Sequence, residues 1–331
     1  MELSGDGPGF VDRLRAWWEG EEQDPVWQNG QPVEVFTPKN RPPELSEHDE
    51  AARAAGYLPM PAPEFPSVAD LDDRWPEWRL DMAERLWGDG FLVPGGLSYA
   101  TDFVKAMMPA SEKSFLDLGA GIGGAVRGIN KEFGVWMTGM EPSEALAEIG
   151  KETSIKQGLG RRAPVSWYDP DRIRLEARKY NGVYAFETFY KFADKGAVFD
   201  ACHLTLRHGG HLMFTDIVLA HPGDPGETVR KWMSADRVVN PLWTAKQVHA
   251  ALAERDFDVR VAEDMTDQYR SMVLAGWLRL LDSLTPGKVE RSFAMNMIRE
   301  CEYWMARVSA LDSGALRVYR YHAMKPSAEV M

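Results

Sequence analysis

The chain has 331 residues, of which 44% are hydrophobic and 27% are charged, and its formal net charge is −12. This composition excludes a wholly disordered chain and predicts two domains, or one large domain with additions. The acidic balance argues against a nucleic-acid partner, because affinity for nucleic acids comes mostly from Lys and Arg side chains that neutralise phosphates.

The cysteines and the apolar segments predict a cytoplasmic protein. Cys202 and Cys301 are the two cysteines; their separation excludes a C-x-x-C motif, and we expect reduced thiols and no metal site. Residues 1–24 carry Asp, Glu and Arg and lack the apolar region of a signal peptide. The longest apolar stretch, 272–278, is far shorter than the roughly 20 residues that cross a bilayer, so no stable membrane insertion is expected.

The amino-terminal part is rich in proline. Residues 10–19 predict a short amphipathic helix, and ten of the 21 prolines follow between Pro25 and Pro76. Since proline removes a backbone donor and fixes φ, we predict that 1–75 forms an irregular arm rather than a sheet. Periodic apolar residues return over 76–110, which predicts helices that lead into and cover the site.

From residue 111 onward, strands and helices alternate. The predicted strands are 114–118, 135–140, 165–168, 182–186, 211–218, 257–263 and 315–324, and the predicted helices are 124–133, 143–157, 193–206 and 244–255. This alternation predicts an α/β fold with a Rossmann-like, seven-stranded, mostly parallel sheet and helices on both faces. The core covers 111–264 and 315–326, and the helical insertion 265–314 is expected to act as a lid.

A glycine-rich turn after the first predicted strand is typical of a nucleotide-like ligand site. The sequence 115–124, FLDLGAGIGG, ends a strand, turns through glycines and begins a helix. Enzymes that bind nicotinamide use similar turns, so an NAD-dependent oxidoreductase is an alternative. Asp117 argues against it, because a carboxylate there would repel a pyrophosphate. Glu141, at the end of the next strand, is suited to accept hydrogen bonds from ribose hydroxyls.

Three motifs in this order resemble the class I S-adenosylmethionine-dependent methyltransferases. They are LDLGAGIGG at 116–124, the acid that ends VWMTGME at 135–141, and HGGHLMFTD at 208–216. The sequence LWGDGFLVPGG at 86–96 is similar to an element of the phosphoethanolamine (phosphobase) N-methyltransferases. The resemblance covers roughly 90–324 and implies S-adenosyl-L-methionine as cofactor, a closed site and a small amine substrate.

The resemblance also implies positions for the cofactor. The expected cofactor-binding residues are Gly95, Gly96, Asp117, Gly119, Ala120, Gly121, Gly123, Glu141, Pro142, Asp169 and Glu187. The tyrosine and histidine that form the family's catalytic pair match Trp75 and Lys191 here, and its phosphate-binding tyrosine matches Ile217. These departures argue against phosphoethanolamine as the substrate.

Residues after the fourth strand are the candidate catalytic groups. Glu187, Tyr190 and Lys191 follow this strand; Glu187 could hold the cofactor instead, and Lys191 could act as a base or bind an anion. Trp75, Phe189 and Tyr190 are candidates for substrate binding as a cage around a cationic amine. Core packing is the favoured explanation of such aromatic residues in a Trp-rich chain. These roles stay open at the level of the sequence.

The last predicted strand carries two further candidates for substrate binding. Arg320 and His322 alternate onto one face of it. If this face looks into the site, Arg320 offers a fork for a carboxylate or phosphate; otherwise it covers an edge of the sheet.

The expected function is S-adenosylmethionine-dependent methylation of a small polar metabolite, with N-methylation of an amine that carries an anionic group. The alternatives are O-, S- or C-methylation of a small acid or lipid precursor, and a cofactor-binding homologue without catalysis. The substrate is a small molecule, and a homodimer is an expected assembly.

Overall fold

The computed structural model describes residues 26–28, 31–33, 74–285 and 289–327. The chain divides into two compact units, one of 1–64 with 282–294 and one of 65–281 with 295–331. The helix expected over 10–19 lies outside the described residues.

The first unit contains a pair of short strands that the sequence interpretation excluded. β1 (Val26–Gln28) and β2 (Gln31–Val33) pair in antiparallel fashion, with Trp27 opposite Pro32. The prediction of an arm without a sheet was therefore wrong at this position. The strands are separated in sequence by Asn-Gly, a dipeptide that strongly favours a hairpin, and an edge strand tolerates proline.

A seven-stranded sheet forms the centre of the second unit. Its strands are β3 (Ser114–Leu118), β4 (Trp136–Glu141), β5 (Val165–Trp167), β6 (Tyr180–Phe186), β7 (Leu206–Leu219), β8 (Asp258–Asp264) and β9 (Leu316–Met324). The order across the sheet is β5-β4-β3-β6-β7-β9-β8. Strands β3 to β7 are parallel, whereas β9 is antiparallel to β7 and β8. The predicted Rossmann-like fold is confirmed.

The described residues contain nine α-helices. They are α1 (Glu77–Trp87), α2 (Gly96–Val104), α3 (Gly124–Phe133), α4 (Glu144–Lys156), α5 (Lys195–Thr205), α6 (Gly226–Ala235), α7 (Ala245–Ala253), α8 (Thr266–Ser283) and α9 (Arg291–Asp312). Helix α6 was not predicted, because the Gly- and Pro-rich sequence before it is typical of a loop. No helix in the described segments has the length and apolarity that a membrane crossing requires.

Side chains alternate between the two faces of the sheet, and helices pack on both faces. On one face, residues such as Leu116, Val183 and Phe214 join a buried cluster with residues of α5 and α7. On the other face, Phe186 at the end of β6 packs against Phe103 of α2, with ring centroids 4.9 Å apart. The carboxyl ends of the parallel strands therefore meet at one edge, where ligands of open α/β sheets bind.

The segment between α1 and α2 lies directly on the helix that follows the glycine-rich turn. The Gly124 amide donates to the Gly90 carbonyl oxygen over 3.0 Å. A Cβ atom added at Gly124 would lie 2.4 Å from that oxygen, and Gly90 itself has a φ of +81°. This contact needs glycine on both sides, because a side chain would separate the two backbones.

Gly124→Ala should lower the free energy of unfolding by about 1–3 kcal/mol, because the added methyl group must displace the segment at Gly90. Gly128→Ala is the matched control in the same helix. Its Cβ would meet only the end of the Leu97 side chain, which is exposed and free to turn away. This control should be neutral or stabilising by up to about 1 kcal/mol. Denaturant titration measures the free energy of unfolding of both variants. An equal decrease in the two variants would contradict the close contact between Gly90 and Gly124.

Candidate functional site

The glycine-rich turn brings the ends of β3 and β6 together. Gly119 follows β3 with a φ of +99°, and a Cβ atom on it would lie 2.2 Å from the Thr188 hydroxyl oxygen. Thr188 comes two residues after the end of β6 and is buried. The turn therefore packs on the segment that follows β6, and only glycine fits there.

Glu141 is fixed at the end of β4 by two backbone donors. Its carboxylate is buried; one oxygen accepts from the Gly121 amide over 2.7 Å and the other from the Ser143 amide over 3.0 Å. Burial raises the pKa of this carboxyl, although the two amides oppose the shift. Each carboxylate oxygen keeps acceptor capacity beyond its amide, as the binding of two ribose hydroxyls requires.

Other expected cofactor residues lie after β4, after β5 and at the start of α2. The Pro142 carbonyl accepts from the Trp167 indole over 3.0 Å. Asp169, after β5, accepts from the amide of Asp171 over 3.0 Å. Gly95 and Gly96 begin helix α2 and have φ values of +105° and +58°.

Three buried polar atoms near the turn have no hydrogen-bond partner among the described residues. They are Oδ1 of Asp117 and the hydroxyl oxygens of Tyr168 and Tyr184, of which Asp117 and Tyr184 lie opposite each other on β3 and β6 and interact electrostatically. Burial raises the pKa of Asp117 to about 7, and the charge of Glu141 adds to the shift. Unsatisfied buried polar groups are rare in folded proteins, so their presence here fits a polar ligand that approaches the turn.

Glu187 occupies a strained backbone position just after β6. Its φ is +50°, in the left-handed region that few residues other than glycine adopt. The Glu187 amide donates to the Thr215 carbonyl over 2.9 Å, and its buried Oε2 accepts from the Tyr269 hydroxyl and from Arg307. Helices α8 and α9 thus hold this carboxylate in place.

Asp236, just after α6, is the centre of a buried polar cluster. Four side chains donate to its carboxylate: Arg74, Tyr190, Tyr303 and Arg307. The distance is 2.7 Å for Arg74, 2.6 Å for Tyr190 and 3.2 Å for Arg307. Burial alone would raise the pKa of Asp236, but the positive charges of Arg307 and Arg74 hold it below its ordinary value. Asp236 is therefore an ionised acid in the interior.

Lys191 lies beside this cluster and is exposed. It ends the short 3-10 segment Phe189–Lys191, and its carbonyl oxygen accepts from the Asn240 amide group over 2.7 Å. Its ammonium lies 5.2 Å from the centre of the Tyr190 ring and forms no ion pair with a described residue. Surrounding protein atoms and the charge of Arg74 lower the pKa of Lys191.

The three aromatic candidates do not share one pocket wall. Phe189 is fully buried in the core, where its ring centroid lies 4.7 Å from that of Phe214. Trp75 packs on the guanidinium of Arg79, 4.8 Å from the ring centroid. Tyr190 points its hydroxyl at Asp236. The structure therefore does not assemble the cage around an amine that these aromatic residues suggested.

Arg320 and His322 likewise have other partners. Arg320 forms a largely exposed ion pair with Glu263 on the edge strand β8. A ring nitrogen of His322 hydrogen-bonds to His211 over 2.9 Å, and His211 lies in the amino-terminal half of β7. No described contact joins either side chain to Lys191.

Five residues that the sequence interpretation missed contribute to the site. They are Arg74, Asp236, Tyr269, Tyr303 and Arg307. One signal was available: Arg307 shares a helical stripe with the apolar residues Trp304 and Leu311, where an arginine needs a buried partner. Its partners are distant in sequence, so the pattern does not reveal them.

Comparisons with known proteins give a family match and distant relatives. A family model described as a methyltransferase domain matches residues 96–261. Phosphoethanolamine N-methyltransferase 1 from Triticum aestivum is 26% identical over 188 residues, 56% of this chain and 36% of that protein. Phosphoethanolamine N-methyltransferase 3 from Arabidopsis thaliana is 26% identical over 209 residues, 62% of this chain and 40% of that protein. The chain thus spans well under half the length of these relatives.

A solved structure supports the fold. Phosphoethanolamine N-methyltransferase 2 from Haemonchus contortus, in complex with S-adenosyl-L-methionine, matches with a TM-score of 0.69 at 20% identity. The match covers 80% of this chain and 61% of that chain. At this identity the likeness concerns the arrangement of strands and helices.

Asp117→Asn should make the protein more stable than the parent above pH 7. The pKa of Asp117 is about 7 in the folded state and lower in the unfolded state. Protonation of Asp117 therefore favours the folded state at low pH, and this contribution to the free energy of unfolding is lost as the pH rises from about 4 to 7. The full effect approaches about 4 kcal/mol for a shift of three pKa units.

Denaturant titrations of the parent and the variant from pH 4 to 8 measure this difference. The two free energies of unfolding should diverge as the pH rises toward 8. A constant difference over this range would show that Asp117 is not a buried acid with a raised pKa.

Proposed function

Because the chain belongs to the methyltransferase domain family, we propose that it transfers the methyl group of S-adenosyl-L-methionine to the amine of a small metabolite that also carries an anionic group. One observation carries this proposal. The fixed carboxylate of Glu141 on β4 and the carboxylate of Glu187, whose backbone after β6 is strained, flank the glycine turn of β3. This arrangement supports a cofactor site next to an acceptor site at one edge of the sheet.

The cofactor side of this edge uses groups that suit each part of the ligand. Glu141 would accept from the ribose hydroxyls, and Asp117 would accept from the ammonium of the methionine part. Gly119 and Gly121 let the backbone approach the ligand, and Asp169 lies after the adjacent strand. When bound, the cofactor supplies a methyl carbon that is activated by a positively charged sulfur.

The acceptor side would hold the amine in line with that carbon. The amine nitrogen forms the new bond to carbon as the carbon–sulfur bond breaks, and the bonding electrons stay on sulfur. Alignment is the main requirement of such a displacement. Both described contacts of the Glu187 carboxylate use Oε2. We therefore assign Oε1 to the substrate ammonium, as the acceptor of the proton that must leave nitrogen before attack.

We assign the anionic group of the substrate to Lys191. Lys191 is exposed beside the buried cluster, and an anion next to it would offset the lowering of its pKa. Tyr190 serves as a positioning residue. Burial raises the pKa of its phenol well above the ordinary value, and its hydroxyl donates to Asp236, so it stays protonated.

Other expectations stay predictions. The amino-terminal arm, residues 1–75, lies almost wholly outside the described residues. The domain limits, the homodimer and the cytoplasmic location also stay predictions. O-, S- or C-methylation remains the alternative reaction.

Glu141→Ala should weaken binding of S-adenosyl-L-methionine by about 1–3 kcal/mol, because a charged acceptor for the ribose is lost. Glu144→Ala removes the same charge from an exposed position at the start of α4 and should bind like the parent. Titration calorimetry measures both affinities. If Glu141→Ala binds as tightly as Glu144→Ala, the cofactor assignment is wrong.

Lys191→Gln should raise KM for the anionic amine about tenfold or more while kcat changes less, because an anion is held similarly in the ground and transition states. Lys191→Arg keeps the charge and should restore most of the KM effect. Release of S-adenosylhomocysteine across a panel of small amines gives the kinetics. A collapse of kcat in both variants would instead identify Lys191 as the base.

A further inference from the structure

Tyr99 of helix α2 packs against Phe186, the last residue of β6, at the carboxyl edge of the sheet. The two ring centroids are 5.7 Å apart, and the ring planes are inclined by 50°. Phe103 contacts both rings and is buried, whereas Tyr99 and Phe186 are partly exposed. The pair therefore leaves aromatic surface for a ligand at the edge where ligands of open α/β sheets bind.

The turn before α2 sets the position of the Tyr99 ring. Gly95 has a φ of +105°, and a Cβ atom on it would lie 2.7 Å from Cβ of Tyr99 and 2.9 Å from Cδ1. A side chain at residue 95 would therefore displace this ring. The placement of Tyr99 depends on glycine at this turn.

The Tyr99 hydroxyl has a poor hydrogen-bond partner. Its one described hydrogen bond is a donation to the Met265 sulfur over 3.5 Å, and a thioether is a weak acceptor. Burial raises the pKa of this phenol well above its ordinary value; the charge of Arg320 opposes the shift, and those of Glu187 and Glu263 add to it. The phenol therefore stays protonated, and its oxygen keeps acceptor capacity for another donor.

The aromatic pair lies next to the carboxylate of Glu187. Glu187 follows Phe186 directly in the chain, and its charge acts on the Tyr99 phenol. Met265 immediately precedes α8, and Tyr269 in the first turn of that helix donates to Glu187. Elements α2, β6 and α8 thus bring two aromatic rings and a carboxylate together, a combination that suits a cationic nitrogen.

We propose that Tyr99 is a specificity-determining residue that binds the ammonium group of the methyl acceptor. This inference rests on the proposed function. The phenol oxygen accepts from one N–H of the ammonium, and the rings of Tyr99 and Phe186 pack on its carbon substituents. Once another proton has passed from nitrogen to Oε1 of Glu187, the bond to Tyr99 keeps the nitrogen lone pair oriented for attack. The aromatic contacts expected from the sequence thus come from two other residues.

Kinetics test the phenol oxygen. Tyr99→Phe keeps the ring and should raise KM for an amine that the full chain methylates by about fivefold or more, with a smaller change in kcat, because a hydrogen bond to a charged group is lost on binding. Tyr180→Phe is the matched control. Tyr180 is buried at the start of β6, at the opposite edge of the sheet, and loss of its hydroxyl should leave KM unchanged. An unchanged KM in Tyr99→Phe, or an equal increase in the control, would overturn the inference.

A binding experiment tests the two rings without methyl transfer. The full chain, saturated with S-adenosylhomocysteine, is melted in about 50 mM tetramethylammonium chloride and in sodium chloride at the same concentration, since quaternary ammonium ions bind aromatic faces. The parent and Tyr99→Phe should melt at least about 1 °C higher with tetramethylammonium, because a ligand that binds only the folded state stabilises it. Tyr99→Leu and Phe186→Leu should lose this difference, and either variant suffices if the other does not fold.

The outcomes separate this inference from the proposed function. No difference between the two salts for the parent, or an equal difference in a folded leucine variant, would overturn the role of Tyr99 and Phe186. Absence of methyl transfer to every amine would overturn the proposed function instead. The tetramethylammonium experiment would then still decide whether the two rings bind a cation.

Discussion

The ion pairs of Arg307 with Glu187 and Asp236 connect helix α9 to the end of β6 and to the residue that follows α6. All three side chains are almost completely buried, so each depends on the others to offset the loss of hydration. Removal of one partner from such a group costs about 3–5 kcal/mol, because the remaining charges stay buried without compensation. The left-handed backbone of Glu187 persists only because this group and the Thr215 carbonyl hold it.

The residues proposed to bind the cofactor and those proposed to bind the methyl acceptor depend on different parts of the fold. The sheet, the glycine turn and Glu141 form a cofactor platform that needs only local backbone geometry and one acid. The acceptor side depends on α6, α8 and α9, which contribute or flank Asp236, Tyr269 and Arg307. We therefore expect the additions to the fold to set substrate choice and the sheet to set cofactor binding.

The cofactor platform could be predicted from the sequence because the patterns that specify it lie within short segments of the chain. Strand β3 and helix α3 have the predicted bounds, since an apolar run, glycines and a helical period follow each other directly. Alternation placed Arg320 and His322 on one face, but it does not reveal their partners, Glu263 and His211.

The acceptor side could not be predicted in this way. Asp236 gains its role from donors up to 162 residues away in sequence. A single sequence carries no signal for contacts over that separation, because no local pattern requires them. Lys191 was identified as a candidate through its position after β6, whereas its place beside the Asp236 cluster is visible only in the structure.

The identity of the methylated atom tests the account most directly. The full chain is incubated with S-adenosyl-L-methionine labelled with ¹³C in the methyl group and with a mixture of small polar metabolites, and the label is followed by two-dimensional NMR. The chemical shift of the transferred methyl group distinguishes a bond to nitrogen from bonds to oxygen, sulfur or carbon. The account predicts label on the nitrogen of an amine that also carries an anionic group. Label on oxygen, sulfur or carbon, or bound cofactor without any transfer, would contradict it.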